Sequence, residues 1–247
     1  MSKAHAHDVP RVAWRQCWSA LLLAGLLFSS ACQTPQGYST PAAGTGTSLR
    51  TIDTASMAGR YSISPELSDI RFLVYRTGPL ASLGHNHVVK ATAVKGEILL
   101  VSDFYQSRFS LAIPVADFQV DAADTRGEEG EEFNELPDAE AIASTTRNML
   151  GGNLLNAAVY PQIHIHSVSL TGPASAPAVT VRIKLRAVER EMIVPVTIDY
   201  LKNEIRVTAV FEVKQTDFDI TPLSVFGGAI QVANSVKVKL RIRAQKA

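Results

Sequence analysis

Residues 236–242 read Val-Lys-Val-Lys-Leu-Arg-Ile, and residues 179–185 read Val-Thr-Val-Arg-Ile-Lys-Leu. Apolar and polar side chains alternate one by one in both stretches. Because successive residues of a β-strand point to opposite faces, each stretch predicts a strand with one apolar face and one face in water. Such one-sided strands are typical of antiparallel sheets, whereas strands of parallel sheets tend to be apolar on both faces.

The same alternation recurs through most of the chain from about residue 59 onward, with Val210 as an exception. The further strand-like stretches are residues 70–76, 88–101, 109–115, 192–200 and 205–213. Short polar segments separate them, which favours hairpin connections. We therefore predict a mainly β fold, an eight-stranded antiparallel barrel, since eight strands can close around a packed core or one slender ligand.

Residues 121–160 break this alternation. They begin with an acidic loop at residues 128–132, which we expect to be a solvated loop. Asp138 is a suitable N-cap for a helix from Ala139 to Leu150, which Gly151 would end. The sequence thus predicts one helical excursion between the fourth and fifth strands.

The N-terminus has the pattern of an export signal. Basic residues precede a nine-residue apolar run at residues 20–28, which is too short to span a membrane as a helix of about 20 residues. Small residues and Cys32 follow, so residues 1–31 resemble a lipoprotein signal peptide that leaves a lipidated Cys32 as the mature N-terminus. Ser29 stands where such signals usually carry Leu, so cleavage without lipidation and an uncleaved anchor stay open.

Two further expectations follow from the residues after this signal. Residues 32–58 are rich in Gly, Ser, Thr and Pro and predict a flexible tether. Gln33 is not the aspartate that resembles an inner-membrane retention signal. We therefore expect a periplasmic protein anchored to the outer membrane.

Composition excludes several classes of protein. The formal net charge is +1, which gives no overall argument for nucleic-acid binding. Both cysteines, Cys17 and Cys32, lie near the N-terminus, so the rest of the chain has no disulfide framework or cysteine-ligated metal site. The sequence contains no Gly-x-Ser-x-Gly, His-Glu-x-x-His, phosphate-binding loop or dinucleotide-binding motif. We expect no enzyme, with a catalytic site of unrecognised type as the open alternative.

Several sequence blocks resemble, in order, the YceI-like family of periplasmic lipid-binding proteins. The blocks are Tyr61 to Ile70, Gly84-His85 with Gly96-Glu97-Ile98, Tyr160 to Ser167, and Phe211 to Val213 with Asp217 to Ile220. Ile165 stands in a position where the family usually has Phe, and Asp219 replaces a Gly. The resemblance defines a YceI-like domain over residues 59–247. It implies an elongated, lipocalin-like barrel with a long apolar tunnel for isoprenoid or fatty-acyl chains.

The apolar faces of the predicted strands would line such a tunnel. We predict nine lining residues by their parity along each strand: Phe72, Val74, Leu111, Ile113, Val181, Ile183, Val196, Phe211 and Val238. Periodicity alone does not distinguish an open tunnel from a solid core, and both stay open. The interpretation is a membrane-tethered barrel that binds or transports isoprenoid or fatty-acyl lipids and needs no cofactor. Its oligomeric state stays open, with a homodimer as one case.

The histidines support an alternative function. All four in the predicted domain fall into two His-x-His pairs, His85 with His87 and His164 with His166. Two residues apart on a strand, both imidazoles of a pair share one face and could hold a divalent metal together. The alternative is therefore a periplasmic metal-binding or stress-related module. If Ile163 and Ile165 point into the core, His164 and His166 must point outward to solvent. That orientation would argue against a shared metal site.

Overall fold

The computed structural model describes residues 53–247. The predicted signal peptide, Cys32 and most of the predicted tether lie outside the described residues. Of residues 53–58, the end of that tether, Thr54 is buried, and its hydroxyl donates a hydrogen bond to the Ser102 carbonyl at 3.1 Å. Within residues 53–247, no helix is long and apolar enough to cross a membrane.

The described chain forms one antiparallel sheet of thirteen strands with two α-helices. The strands are β1 (Gly59–Ile63), β2 (Asp69–Thr77), β3 (His87–Ala91), β4 (Lys95–Leu100), β5 (Arg108–Pro114), β6 (Phe118–Val120), β7 (Gln162–Thr171), β8 (Ala178–Leu185), β9 (Val188–Pro195), β10 (Thr197–Leu201), β11 (Glu204–Lys214), β12 (Ser224–Val225) and β13 (Ile230–Lys246). The helices are α1 (Ala123–Gly127) and α2 (Ala139–Leu150), and both lie between β6 and β7.

The strand β13 organises the sheet. It pairs with β11 from Ser235 to Gln245, and on its other edge it pairs first with β2 and then with β1. From β13 the ladder continues through β1, β4, β5, β7 and β8 to β9, and through β2 and β3 to β6. The strand β10 pairs with β11, and β12 pairs with the start of β13.

The mainly antiparallel β architecture is confirmed, but the strand count differs from the predicted eight. The thirteen strands do not close into a continuous hydrogen-bonded ring. The predicted strand at residues 192–200 is divided at Pro195 into β9 and β10, and the predicted strand at residues 88–101 is divided into β3 and β4. Pro195 favours a break because proline has no N–H to donate to a ladder. Pro65 lies between β1 and β2, and Pro114 ends β5.

The predicted helix is confirmed as α2. The Asp138 carboxylate accepts a hydrogen bond from the Ala141 N–H at 2.8 Å, as an N-cap does. The apolar side chains of Ile142 and Met149 pack against the main core. The helix ends at Gly151, whose φ of −68° is ordinary extended backbone, not the left-handed conformation of a typical glycine cap.

The acidic loop packs on the outer face of the sheet. Beneath the adjoining segment lies a small cluster of Leu73, Val88 and Phe133. The Glu129 side chain is only 1% exposed and binds Arg71 at 2.8 Å and Lys239 at 2.7 Å. Glu128, Gly130, Glu131 and Glu132 are exposed, as expected of a solvated loop, whereas the Glu129 carboxylate is buried against the cations on the outer faces of β2 and β13.

Candidate functional site

Within residues 53–247, the apolar face of the sheet lines two cavities that are partly open to solvent. The first has a volume of about 110 Å³ and the second about 240 Å³. A volume of about 10–15 Å³ on this measure holds one water molecule, so both cavities have room for a substantial apolar group. The sheet therefore contains internal space in addition to a packed core.

The two cavities meet at four shared side chains, which we call the waist: Ile165, Ile183, Phe211 and Leu240. Ile165 on β7 lies directly opposite Ile183 on β8. Phe211 on β11 pairs with Val238 on β13. It is therefore diagonal to Leu240, which lies two residues further along β13. The cavities therefore share a boundary made by two pairs of neighbouring strands.

All nine predicted lining residues lie on the cavity walls. Leu111, Val181 and Val196 line the first cavity, Phe72, Val74, Ile113 and Val238 line the second, and Ile183 and Phe211 belong to the waist. Strand parity placed them correctly because each strand keeps one face toward the interior. Their contact with a ligand stays a prediction.

The first cavity has few polar side chains, and its hydroxyl groups are already engaged. The Ser107 hydroxyl accepts a hydrogen bond from the Val101 N–H at 3.1 Å, and the Tyr200 hydroxyl donates to the Ala174 carbonyl at 3.0 Å. Burial raises the pKa of Tyr200, which keeps the phenol uncharged. Arg108, also in the lining, is exposed. This cavity therefore suits an apolar chain.

The second cavity has a polar end. Its polar lining residues are His87 on β3, Thr145 and Asn148 on α2, and Gln215 directly after β11. Thr145, Asn148 and Met149 are three and four residues apart and so share one face of the helix. The helix thus supplies both apolar and hydrogen-bonding groups to the cavity wall.

His87 is fixed by a buried ionic network. Its Nδ1 lies 2.6 Å from Oδ2 of Asp121, whose other oxygen accepts hydrogen bonds from the Val88 N–H at 2.9 Å and from Arg126 at 2.6 Å. Arg126 is 3% exposed and also donates to the carbonyl of Phe133 at 3.0 Å. Burial acts to raise the pKa of Asp121, but hydrogen bonds from His87, Val88 and Arg126 outweigh it. The pKa therefore lies below its usual value.

The predicted four-histidine metal site is not formed. His87 faces the second cavity, whereas His164 and His166 lie on the opposite face of the sheet from Ile163 and Ile165, beside Lys184 and Arg182. His85 lies 3.6 Å from a Glu135 carboxylate oxygen. Among the described residues no group of three or more His, Cys, Asp or Glu side chains is arranged to hold a metal ion. Strand parity separates the two pairs, and the neighbouring cations would repel a metal ion.

Sequence reasoning missed the polar residues around His87. Asp121 and Arg126 lie in the stretch where the alternation stops, and no spacing rule links Asp121 to His87, which is 34 positions earlier. The position of Asn148 and Thr145 could have been predicted, because they are polar residues on the same helix face as the apolar Met149. The inward direction of Gln215 could have been predicted as well, because it is two residues after Val213 and four after Phe211, both of which point inward on β11.

Comparison with known proteins places this architecture in a family. The YceI-like domain model matches residues 61–244, so the chain belongs to the YceI-like family and the resemblance found in the sequence is confirmed. Among solved structures, Burkholderia cenocepacia BcnA is similar with a TM-score of 0.56 and 14% identity, over 74% of this chain and 99% of that chain.

A second solved structure is similar to about the same degree. It is a polyisoprenoid-binding domain from Saccharophagus degradans implicated in plant cell wall breakdown, with a TM-score of 0.52 and 12% identity over 76% of this chain and 98% of that chain. At these identities the two structures support the shared fold alone. A search of curated proteins finds no match.

Proposed function

We propose that this protein binds isoprenoid or fatty-acyl lipids without catalysing a reaction on them. The observation that carries the proposal is the pair of adjoining apolar cavities with a shared waist. An apolar chain that hides about 400 Å² of its surface there would gain about 10 kcal/mol before the costs of association. One similarly folded domain, from Saccharophagus degradans, is described as polyisoprenoid-binding, and we propose the same ligand class for this chain.

We further propose that the sheet acts as an eight-stranded barrel around this ligand. In this arrangement β9 and β10 behave as one bent strand, because β9 pairs with β8, β10 pairs with β11, and only Val196 stands between them. In the same way β1 and β2 together run antiparallel to β3 and β4. The proline breaks would then bend long strands without ending them, which supports an elongated enclosure.

The place of action is proposed from the sequence. The signal-like segment ending at Cys32 supports export and acylation, with the domain held at the outer membrane on its tether. A periplasmic barrel in this position could receive lipids from a membrane or pass them to one. Transport is thus the proposed use of the binding site.

The test replaces one waist residue by a larger one. Ile183→Trp fills the space between the cavities, so binding of a long-chain fluorescent fatty acid should weaken at least about tenfold. The matched control is Ile193→Trp, because Ile193 is 67% exposed on the neighbouring strand β9. It should bind like the unchanged protein.

Thermal melting of the same two variants separates open space from a solid core. If the space is open, Ile183→Trp should melt within a few degrees of the control. In a solid core the added volume would cost about 1–3 kcal/mol. Failure of the unchanged protein to bind any long-chain lipid would refute the proposed function.

A further inference from the structure

The polar end of the second cavity lies at a defined distance from the waist. Successive rows of inward side chains cross three paired strands: Leu240 with Ile70 and Ala91, then Val238 with Phe72 and Val89, then Val236 with Val74 and His87. Leu240 belongs to the waist, and His87 lies four residues further along the strands. At about 3.3 Å per residue this separation is about 13 Å.

His87 presents a defined hydrogen-bonding atom to the cavity. Because the Asp121 carboxylate only accepts hydrogen bonds, Nδ1 of His87 carries the proton they share. In the neutral ring the lone pair is then on Nε2, which has no hydrogen-bond partner within residues 53–247. The second cavity thus holds an oriented acceptor on an otherwise apolar strand face.

The other polar groups at this end add donors and acceptors without net charge. Asn148 and Thr145 face the cavity from α2, and the Gln215 side chain donates to the Ala233 carbonyl at 2.9 Å, which leaves its own carbonyl oxygen as an acceptor. Within the described part of the chain, the lining of this cavity contains no Lys or Arg. A phosphate or pyrophosphate would find no cation in this lining with which to pair.

We propose that His87, held by Asp121 and Arg126, recognises the head of the bound lipid, and that this head is small, uncharged and bears a hydroxyl group. The hydroxyl donates to Nε2 of His87, while the chain runs through the second cavity, past the waist and into the first. The inference rests on the proposed lipid-binding function and deepens it by naming the ligand class, a long-chain alcohol or phenol.

The test compares probes that differ only at the head. Geranylgeraniol and its methyl ether have the same chain, but only the alcohol can donate to Nε2. The unchanged protein should bind the alcohol about fivefold to tenfold more tightly than the ether, as expected for one buried hydrogen bond. In His87→Phe this ratio should fall to about one while the affinity for the ether changes little. Competition with a fluorescent fatty acid measures all four constants.

His85→Phe is the matched control, since His85 lies two residues away and is not part of the cavity lining. It should keep the preference for the alcohol. If His87→Phe does not fold, the ¹⁵N shift of His87 Nε2 in the unchanged protein serves instead, and it should move with the alcohol and stay still with the ether.

The outcomes separate the two proposals. If both probes bind with equal affinity, or if His87→Phe keeps the preference, the head assignment is wrong and lipid binding stands. Tightest binding of geranylgeranyl monophosphate would overturn the uncharged class. If none of the probes binds the unchanged protein, the proposed function itself fails.

Discussion

At the scale of single residues, Asp121 is the buried charged residue on which the structure around His87 depends. It is 2% exposed, adopts a left-handed backbone with φ of 53°, and accepts hydrogen bonds from three different residues. Asp is among the residues that tolerate this backbone region best. This one residue therefore adopts the left-handed backbone after β6, and its carboxylate orients His87 and neutralises Arg126.

Replacing Asp121 by Asn should destabilise the protein strongly. Asp121→Asn keeps the shape but leaves the buried Arg126 charge unpaired, and we expect a loss of about 3 kcal/mol in the free energy of unfolding. Urea denaturation measures it. The control Asp117→Asn, at an exposed carboxylate in the preceding turn, should change stability by less than about 0.5 kcal/mol. Equal effects of the two variants would show that the ionic network does not stabilise the fold.

The same carboxylate predicts a pH dependence. The folded pKa of Asp121 lies below the ordinary Asp value of 3.8, so its contribution is fully present at neutral pH and is lost as the pH falls through the folded pKa. The stability difference between the unchanged protein and Asp121→Asn should be constant from pH 7 to about pH 5 and shrink below about pH 4. Denaturation at several pH values checks this, and a difference that grows on acidification would contradict the sign.

At the scale of elements, α2 is both a predictable helix and part of the cavity wall. Its N-cap bond is exposed and local, so Asp138→Ala should cost about 1 kcal/mol. Glu140→Ala removes the same charge from the same first turn without touching the cap and should cost less than half as much. Helix unfolding followed by circular dichroism in urea tests the pair. A similar loss in both variants would assign the effect to charge near the helix start.

Elements were predictable from the sequence where one physical rule governs them. Alternation identified the strands. Parity placed all nine predicted lining residues on the cavity walls, because a strand has only two faces. The break at Pro195 was visible in the sequence as well, yet the alternation of Met192, Val194, Val196 and Ile198 continues across it and so favoured one long strand. The Asp121 network was beyond reach, since it joins residues whose proximity depends on the paired register of β3 and β6.

At the scale of the whole molecule, the folded domain and the N-terminal segment make separate contributions. If Cys32 is acylated, Cys32→Ser should move the protein from the membrane fraction to the soluble periplasmic fraction. Lipid binding by the domain should be unchanged, because the lining residues all lie beyond residue 59. Cys17→Ser is the control, and it should leave the distribution as it is. Unaltered membrane association of Cys32→Ser would refute the anchor.

The waist also has a kinetic consequence. A chain too short to reach Ile183 and Phe211 would occupy the second cavity alone and leave it in a single movement. A longer chain must withdraw past branched and aromatic side chains on four strands before it is free. Residence time should therefore rise in a step, not smoothly, as carbon atoms are added, with the on-rate changing much less than the off-rate. The protein would then sort lipids by how long they stay bound and not by affinity alone.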